Sequence, residues 1–316
     1  MSFIEKARGT RSIQNLEQTL NGAGLWKYHL LFLAFVTLMA WRNTTSARLV
    51  ATFDPLYLTF ITAFFAALFA IGSRLATQGI TFSYAVRPLV RTYIILGIAT
   101  TTAMLTANLA FQSLSPVVHS LYEVSIYPFA VAIVTWFASR DETVNFRRLI
   151  PVLLVAMIGI IIFNLDDLRS EALTASLIGF GWATVSVGGW ATSIVMIANL
   201  LRQDAAILDV IGFRFAVVAL IIGGWLLLNG SLVFESLRDV LPLAFFGFFF
   251  PFVLSFMGVR KVSVITFAIY TMLTPILTYG WSILLLDEGS LSTTQLLGAS
   301  FIFAALIVRT WNESRG

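Results

Sequence analysis
The chain has no cysteine and two histidines in 316 residues. Disulfides and cysteine-ligated metals are thereby excluded. His29 and His119 fall in different apolar stretches without metal-ligand spacing, so neither a metal site nor a cofactor is expected. Charge is also scarce. Charged residues make up 11% of the chain, where a soluble domain carries roughly 25%. No glycine-rich phosphate loop and no nucleophile beside a base appear, which argues against an enzyme and against ATP-driven work. The net charge of +4 is modest and offers no basic tract for nucleic acid.

What is there is apolar: 58% hydrophobic residues, 28 of them phenylalanine. Ten continuous stretches, 28–50, 55–73, 88–110, 116–138, 147–164, 174–201, 206–229, 241–258, 264–286 and 293–311, approach the ~20-residue length of a membrane-spanning helix. They lack the ~10-residue alternation of barrel strands. The expected fold is therefore an all-α polytopic membrane protein with ten transmembrane helices. With the N-terminus placed inside, fifteen Lys and Arg fall on the cytoplasmic side and only Arg169 and Arg238 outside. By the positive-inside rule both termini are predicted to be cytoplasmic. Residues 1–27 are polar and do not read as a cleavable signal peptide. Ile13, Leu16 and Leu20 share a helical face there, so a surface amphipathic helix and a disordered tail both remain open.

The stretches repeat. Trp41 recurs as Trp190, Ser115 as Ser263 and Pro128 as Pro275, at offsets of 149, 148 and 147 residues. Two units follow, 28–164 and 165–311, with a short cytoplasmic tail at 312–316. Each holds an odd number of spans, so the second enters the membrane from the opposite side. That is the inverted repeat that lets one scaffold open to either face.

Trp41 and Trp190 begin the two halves. The third stretch of each half ends in Ala110 to Ser115 and Gly258 to Ser263, and Pro128 and Pro275 follow in the fourth. Acidic turns come next, at Asp141-Glu142-Thr143 and Asp287-Glu288-Gly289-Ser290, and the last stretch carries Gln295, Gly298 and Ala299. In these features residues 28–311 resemble a ten-helix, EamA-type member of the drug/metabolite transporter superfamily. Two positions depart from that pattern. The second stretch reads Thr62-Ala63-Phe64-Phe65 where an arginine is common, although its counterpart Arg214 is present, and Arg42 replaces a small residue after Trp41. The resemblance implies a secondary transporter, of a kind that often exports amino acids or other small metabolites.

Charges inside a span are costly and mark candidate sites. Glu123 is the acidic residue set deep in a span, about 10 Å from its outer end. Arg42 lies at nearly the same depth, and a direct or water-bridged pair would reduce the cost of burying either charge. His119, Glu123 and Tyr127 are spaced by four and share a helical face, which Thr266, Tyr270 and Thr274 match on span nine. These two stripes are expected to line a central cavity, with Trp41 and Trp190 shaping it. The competing reading is mere interhelical bonding. Burial favours the protonated carboxyl and a nearby arginine the ionised one. Glu123 is accordingly the proton-coupling candidate, assisted by His119, and a Glu123 locked permanently to Arg42 is the alternative.

Other features have blander readings. Arg214, about a turn beyond Asp209, is expected to pair with it or reach the headgroups; the sharper alternative is an anion contact. The phenylalanine run 245–252 is expected to be lipid-facing and packing bulk, with Pro251 kinking span eight. Gly179, Gly181, Gly188 and Gly189 give span six a packing face.

The expected function is secondary export of amino acids or drug-like metabolites by alternating access, driven by protons or exchange. The expected partners are a small-molecule substrate, protons and the lipid bilayer of a plasma membrane, and the expected assembly is a monomer or homodimer. An organic-anion or nucleotide-sugar-type exchanger using Arg42 and Arg214 is the alternative within transport. A lipid-handling or scaffold protein without a cavity is the alternative outside it.

Overall fold
In hydrocarbon a backbone amide has no water to bond, so each spanning segment must satisfy its own N–H and C=O groups. Helices meet that demand locally. A computed structural model describes residues 30–78, 89–139, 173–231, 237–259, 270–286 apart from 272, and 292–314, with scattered positions between 151 and 162. Among them there is no strand. The helices are α1 (30–50), α2 (Pro55–Gln78), α3 (Val90–Ala110), α4 (Pro116–Ser139), α5 (Leu173–Arg202) and α6 (Ile207–Leu228). Then come α7 (Leu237–Pro242), a π-helical segment (Leu243–Phe249), α8 (Phe250–Val259), α9 (Thr274–Leu286) and α10 (Thr293–Ser314). Residues 1–27, most of 147–164, the turns at 140–143 and 287–290, and Ser263 and Thr266 lie outside the described residues.

Among the described residues five helical stretches are long and apolar enough to cross a membrane: Pro55–Thr77, Val90–Ala110, Ser176–Arg202, Ile207–Leu228 and Leu237–Gly258. Pro116–Tyr127 and Phe129–Phe137 make a sixth if counted together across their 41° bend. Over the described residues the chain is all-α, with the spans of a polytopic membrane protein. Its outward faces carry bare leucines, with Leu228 86% exposed and Leu220 74%, a surface suited to lipid.

Local chemistry sets the helix ends. Pro55 opens α2 behind Asp54, whose Oδ1 accepts from the N–H groups of Leu56 (2.8 Å) and Tyr57 (3.2 Å). Pro116 opens α4 behind Ser115, whose Oγ accepts from Val118 N–H at 3.3 Å. The serine that ends the third stretch is thus the cap of the fourth. Ser292 and Gln295 form a reciprocal capping box: Gln295 N–H donates to Ser292 Oγ, and Ser292 N–H donates to Gln295 Oε1. Pro128 sits at the bend of α4, where its missing N–H breaks the hydrogen-bond ladder. Pro275, the proline 147 positions later in the sequence, stands in the first turn of α9.

Between helices there is little hydrophobic driving force in lipid, so contact geometry and polar bonds decide the packing. α3 lies along α5, and α2 along α6. A Cβ on Gly189 would meet the Ala99 carbonyl oxygen at 2.7 Å and the Ala103 nitrogen at 2.8 Å, so the two backbones touch there. Ser186 donates to the Ala103 carbonyl (3.0 Å), and the Thr100 and Ser193 hydroxyls are 3.2 Å apart. Gly181 and Gly188 meet nothing, so the expected glycine face is only partly used. α4 packs on α5 and α9. α1 meets α8 through Phe35 and Phe252, and reaches span nine through Phe32 and Tyr270.

The phenylalanine run divides between lipid-facing and packing positions. Phe248, Phe249 and Phe252 are buried, while Phe246 and Phe250 face outward. The run lies mostly inside because the cavity wall and the α2 contact both need its bulk. Leu237–Gly258 also remains one span. Pro242 and Pro251 bracket the π-helical turns, which absorb the lost donors by widening the ladder rather than by a sharp kink.

Candidate functional site
A cavity opens where α1, α4, α5, α6 and α8 converge with residues 271 and 274. Counted with its mouth and the open space in front of it, the hollow takes up about 720 Å³. α1 supplies Phe35, Met39 and Asn43; α4 supplies Glu123, Val124 and Tyr127; α5 supplies Trp190, Ser193, Ile194 and Ile197. Arg214 comes from α6, and Phe252, Ser255 and Phe256 come from α8. Thr271 and Thr274 complete the wall. Both halves of the sequence therefore contribute.

Arg42 is 4% exposed and sits behind this wall. Its Nε and Nη2 donate to Asn43 Oδ1 at 3.2 and 2.9 Å. Asn43 Nδ2 donates to Ser120 Oγ at 2.9 Å, and that hydroxyl is 3.2 Å from Thr278 Oγ1. The chain of bonds ties α1 to α4 and α9. Gly247 makes room for the arginine stem, since a Cβ there would lie 3.0 Å from Arg42 Cγ. The guanidinium carbon is 5.4 Å from the Trp190 ring centre and 5.3 Å from that of Phe248.

Arg214 is fully buried. Its guanidinium carbon lies 4.2 Å from the Phe252 ring centre, 4.7 Å from Phe215 and 5.5 Å from Trp190. Such contacts stabilise a desolvated cation by ~2 kcal/mol. Yet Nε, Nη1 and Nη2 have no hydrogen-bond partner in the protein. A buried donor left unmade costs about 1–3 kcal/mol, and more when charged. Asp209 does not serve it. That carboxylate takes Arg74 Nε from α2 at 2.8 Å, and five residues along a helix turn Asp209 and Arg214 to different faces. The expected local pair is thus replaced by an interhelical one.

Glu123 and Tyr127 line the cavity. His119 does not: it is 1% exposed, packed against Phe111 at 4.5 Å, with Nδ1 3.8 Å from Glu123 Oε2. That distance is too long for a hydrogen bond, and neither imidazole nitrogen has a partner. Arg42 and Glu123 are within electrostatic reach of each other, but Arg42 spends its bonds on Asn43 rather than on a direct pair. Trp190 lines the cavity and stacks on Phe252 at 6.0 Å. Trp41 is outside the lining and meets Phe246 edge-on. Tyr270 packs on Phe32, while Thr271 and Thr274 beside it reach the cavity. Sequence reasoning passed over Asn43, Ser193, Phe252, Ser255 and Thr271. A usable signal for one of these was the four-residue spacing of Phe248, Phe252 and Phe256, all buried. Among the described residues no group of three His, Asp or Glu gathers that would hold a metal.

Residues 177–311 match the EamA-like transporter family. No curated protein sequence matches the chain. A solved crystal structure aligns with 90% of this chain and 96% of its own, with a TM-score of 0.63 at 15% identity. At that identity the likeness is one of fold.

Proposed function
We propose, on the match of residues 177–311 to the EamA-like transporter family, that this is an EamA-type protein of the drug/metabolite transporter superfamily, a secondary transporter of small organic metabolites working by alternating access. The cavity carries this reading. It is lined from both halves of the sequence, apolar on most sides, and furnished with a few buried polar groups that lack partners. Nothing in the lining suggests catalysis, so we assign it binding and passage alone.

The finer architecture we propose is ten spans in two inverted five-helix units, both termini cytoplasmic, in the plasma membrane. Reciprocal packing supports it. If spans one to five correspond to six to ten, the α3–α5 contact has its mate in the α1–α8 contact. The α4–α5 contact likewise has its mate between α1 and span nine. The α2–α6 and α4–α9 contacts are each their own mates. A two-fold relation between the halves produces this pattern. Export, with protons as the driving ion through Glu123, belongs to the same proposal.

The natural absence of cysteine makes the test direct. Single cysteines at Tyr127 and Thr274 are expected to react with membrane-impermeant thiol reagents from one side, and from the other after the conformation is reversed. Reagent access that stays on one side under all conditions, or is nil, would overturn alternating access and bring the scaffold reading forward.

A further inference from the structure
We propose that Arg214 is the docking point for a substrate carboxylate, and that the substrate is an organic monoanion with a flat apolar body. This rests on the transporter reading of the same cavity and names the substrate class for it.

Three observations converge. First, Arg214 is fully buried and lines the cavity, and all three guanidinium nitrogens lack a partner in the protein. Phe252, Phe215 and Trp190 surround the cation with π faces, which hold its charge but accept none of its N–H groups at full strength. The guanidinium fork is the shape that binds a carboxylate through two parallel bonds. Second, the obvious internal acceptor is taken, because Asp209 is bonded to Arg74. Third, the charges do not balance. Arg42 and Arg214 both lie within 5.5 Å of the Trp190 ring centre, and Glu123 is the acidic residue of the lining. Two cations face at most one anion, so a positive charge is left over. A zwitterion leaves that excess in place and a cation worsens it, whereas a monoanion cancels it. The rest of the wall, Phe35, Met39, Ile194, Phe252 and Phe256, offers apolar surface of the kind a planar ring occupies.

The test uses three probes with one ring system and three charges: indole-3-acetate, tryptophan and tryptamine. Each is titrated against the purified full-length protein by thermal stabilisation, and each is loaded into proteoliposomes for counterflow. Indole-3-acetate is expected to stabilise and exchange, with tryptamine inert. Arg214→Gln is expected to weaken indole-3-acetate binding about tenfold or more. Arg214→Lys, which keeps the charge without the fork, falls in between and serves if the glutamine variant does not fold. Arg48→Gln, at an exposed position on α1, is expected to bind as the parent does. The inference is overturned if tryptophan or tryptamine binds more tightly than indole-3-acetate, if no probe binds, or if the Arg214 variants bind indole-3-acetate undiminished. Counterflow of tryptophan or tryptamine alone would defeat the anion assignment while upholding transport. Two-sided cysteine access at Tyr127 judges transport independently of any probe.

Discussion

The guanidinium carbon of Arg214 lies 4.2 Å from the centre of the Phe252 ring, two buried groups from different helices facing the same cavity. Their contact is worth about 0.5–2 kcal/mol as a cation–π pair. A double-mutant cycle with Phe252→Leu and Arg214→Met, read by thermal or denaturant unfolding in detergent, is expected to show coupling of that size. Strict additivity would mean that the ring is only filling space.

Gly189 and Gly188 make a matched pair. A methyl at 189 collides with the α3 backbone, while one at 188 meets nothing. Gly189→Ala is expected to cost about 1–3 kcal/mol, the usual range for overpacking. Gly188→Ala is expected to be neutral or to stabilise by up to ~1 kcal/mol through helix propensity. Unfolding midpoints of the two variants decide the matter, and equal effects would refute the contact.

Arg74 and Asp209 join α2 to α6 with side chains 15% and 17% exposed. Either single reversal of charge is expected to lower stability by about 0.2–1 kcal/mol, and the double reversal to recover most of it. The recovery is the informative quantity, since it separates the pair from general charge effects.

Glu123 is the acidic side chain in the cavity wall. Glu123→Gln keeps its shape and removes its charge. The variant is expected to retain counterflow and to lose any acceleration of net flux by an imposed proton gradient. A parent protein indifferent to that gradient would remove Glu123 from the coupling role.

The membrane class was plain from the poverty of charge, and the cavity face of α4 from the spacing of Glu123 and Tyr127. The misplacements have physical reasons. Trp41 and Arg42 are neighbours, so a helix turns them roughly 100° apart, and it is the Arg42 guanidinium that lies over the Trp190 ring. The repeat that pairs Trp41 with Trp190 carries no information about which way each faces. His119 shares a stripe with Glu123 but lies in the first turn of α4, where the chain has just doubled back and Phe111 covers it. Arg214 looked like a local partner of Asp209 because sequence distance hides facing, and the true partner, Arg74, is 135 positions away. Pro251 looked like a kink because π-helical turns leave no compositional signature.

The touching backbones at Gly189, with the Ser186–Ala103 bond and the Thr100–Ser193 contact, fasten α3 to α5. One helix belongs to the first half of the sequence and the other to the second. Any rearrangement that preserves this contact carries the two together. If the molecule opens by the proposed alternating access, the parting line therefore does not follow the midpoint of its sequence, and the body that carries α3 with α5 draws on both halves.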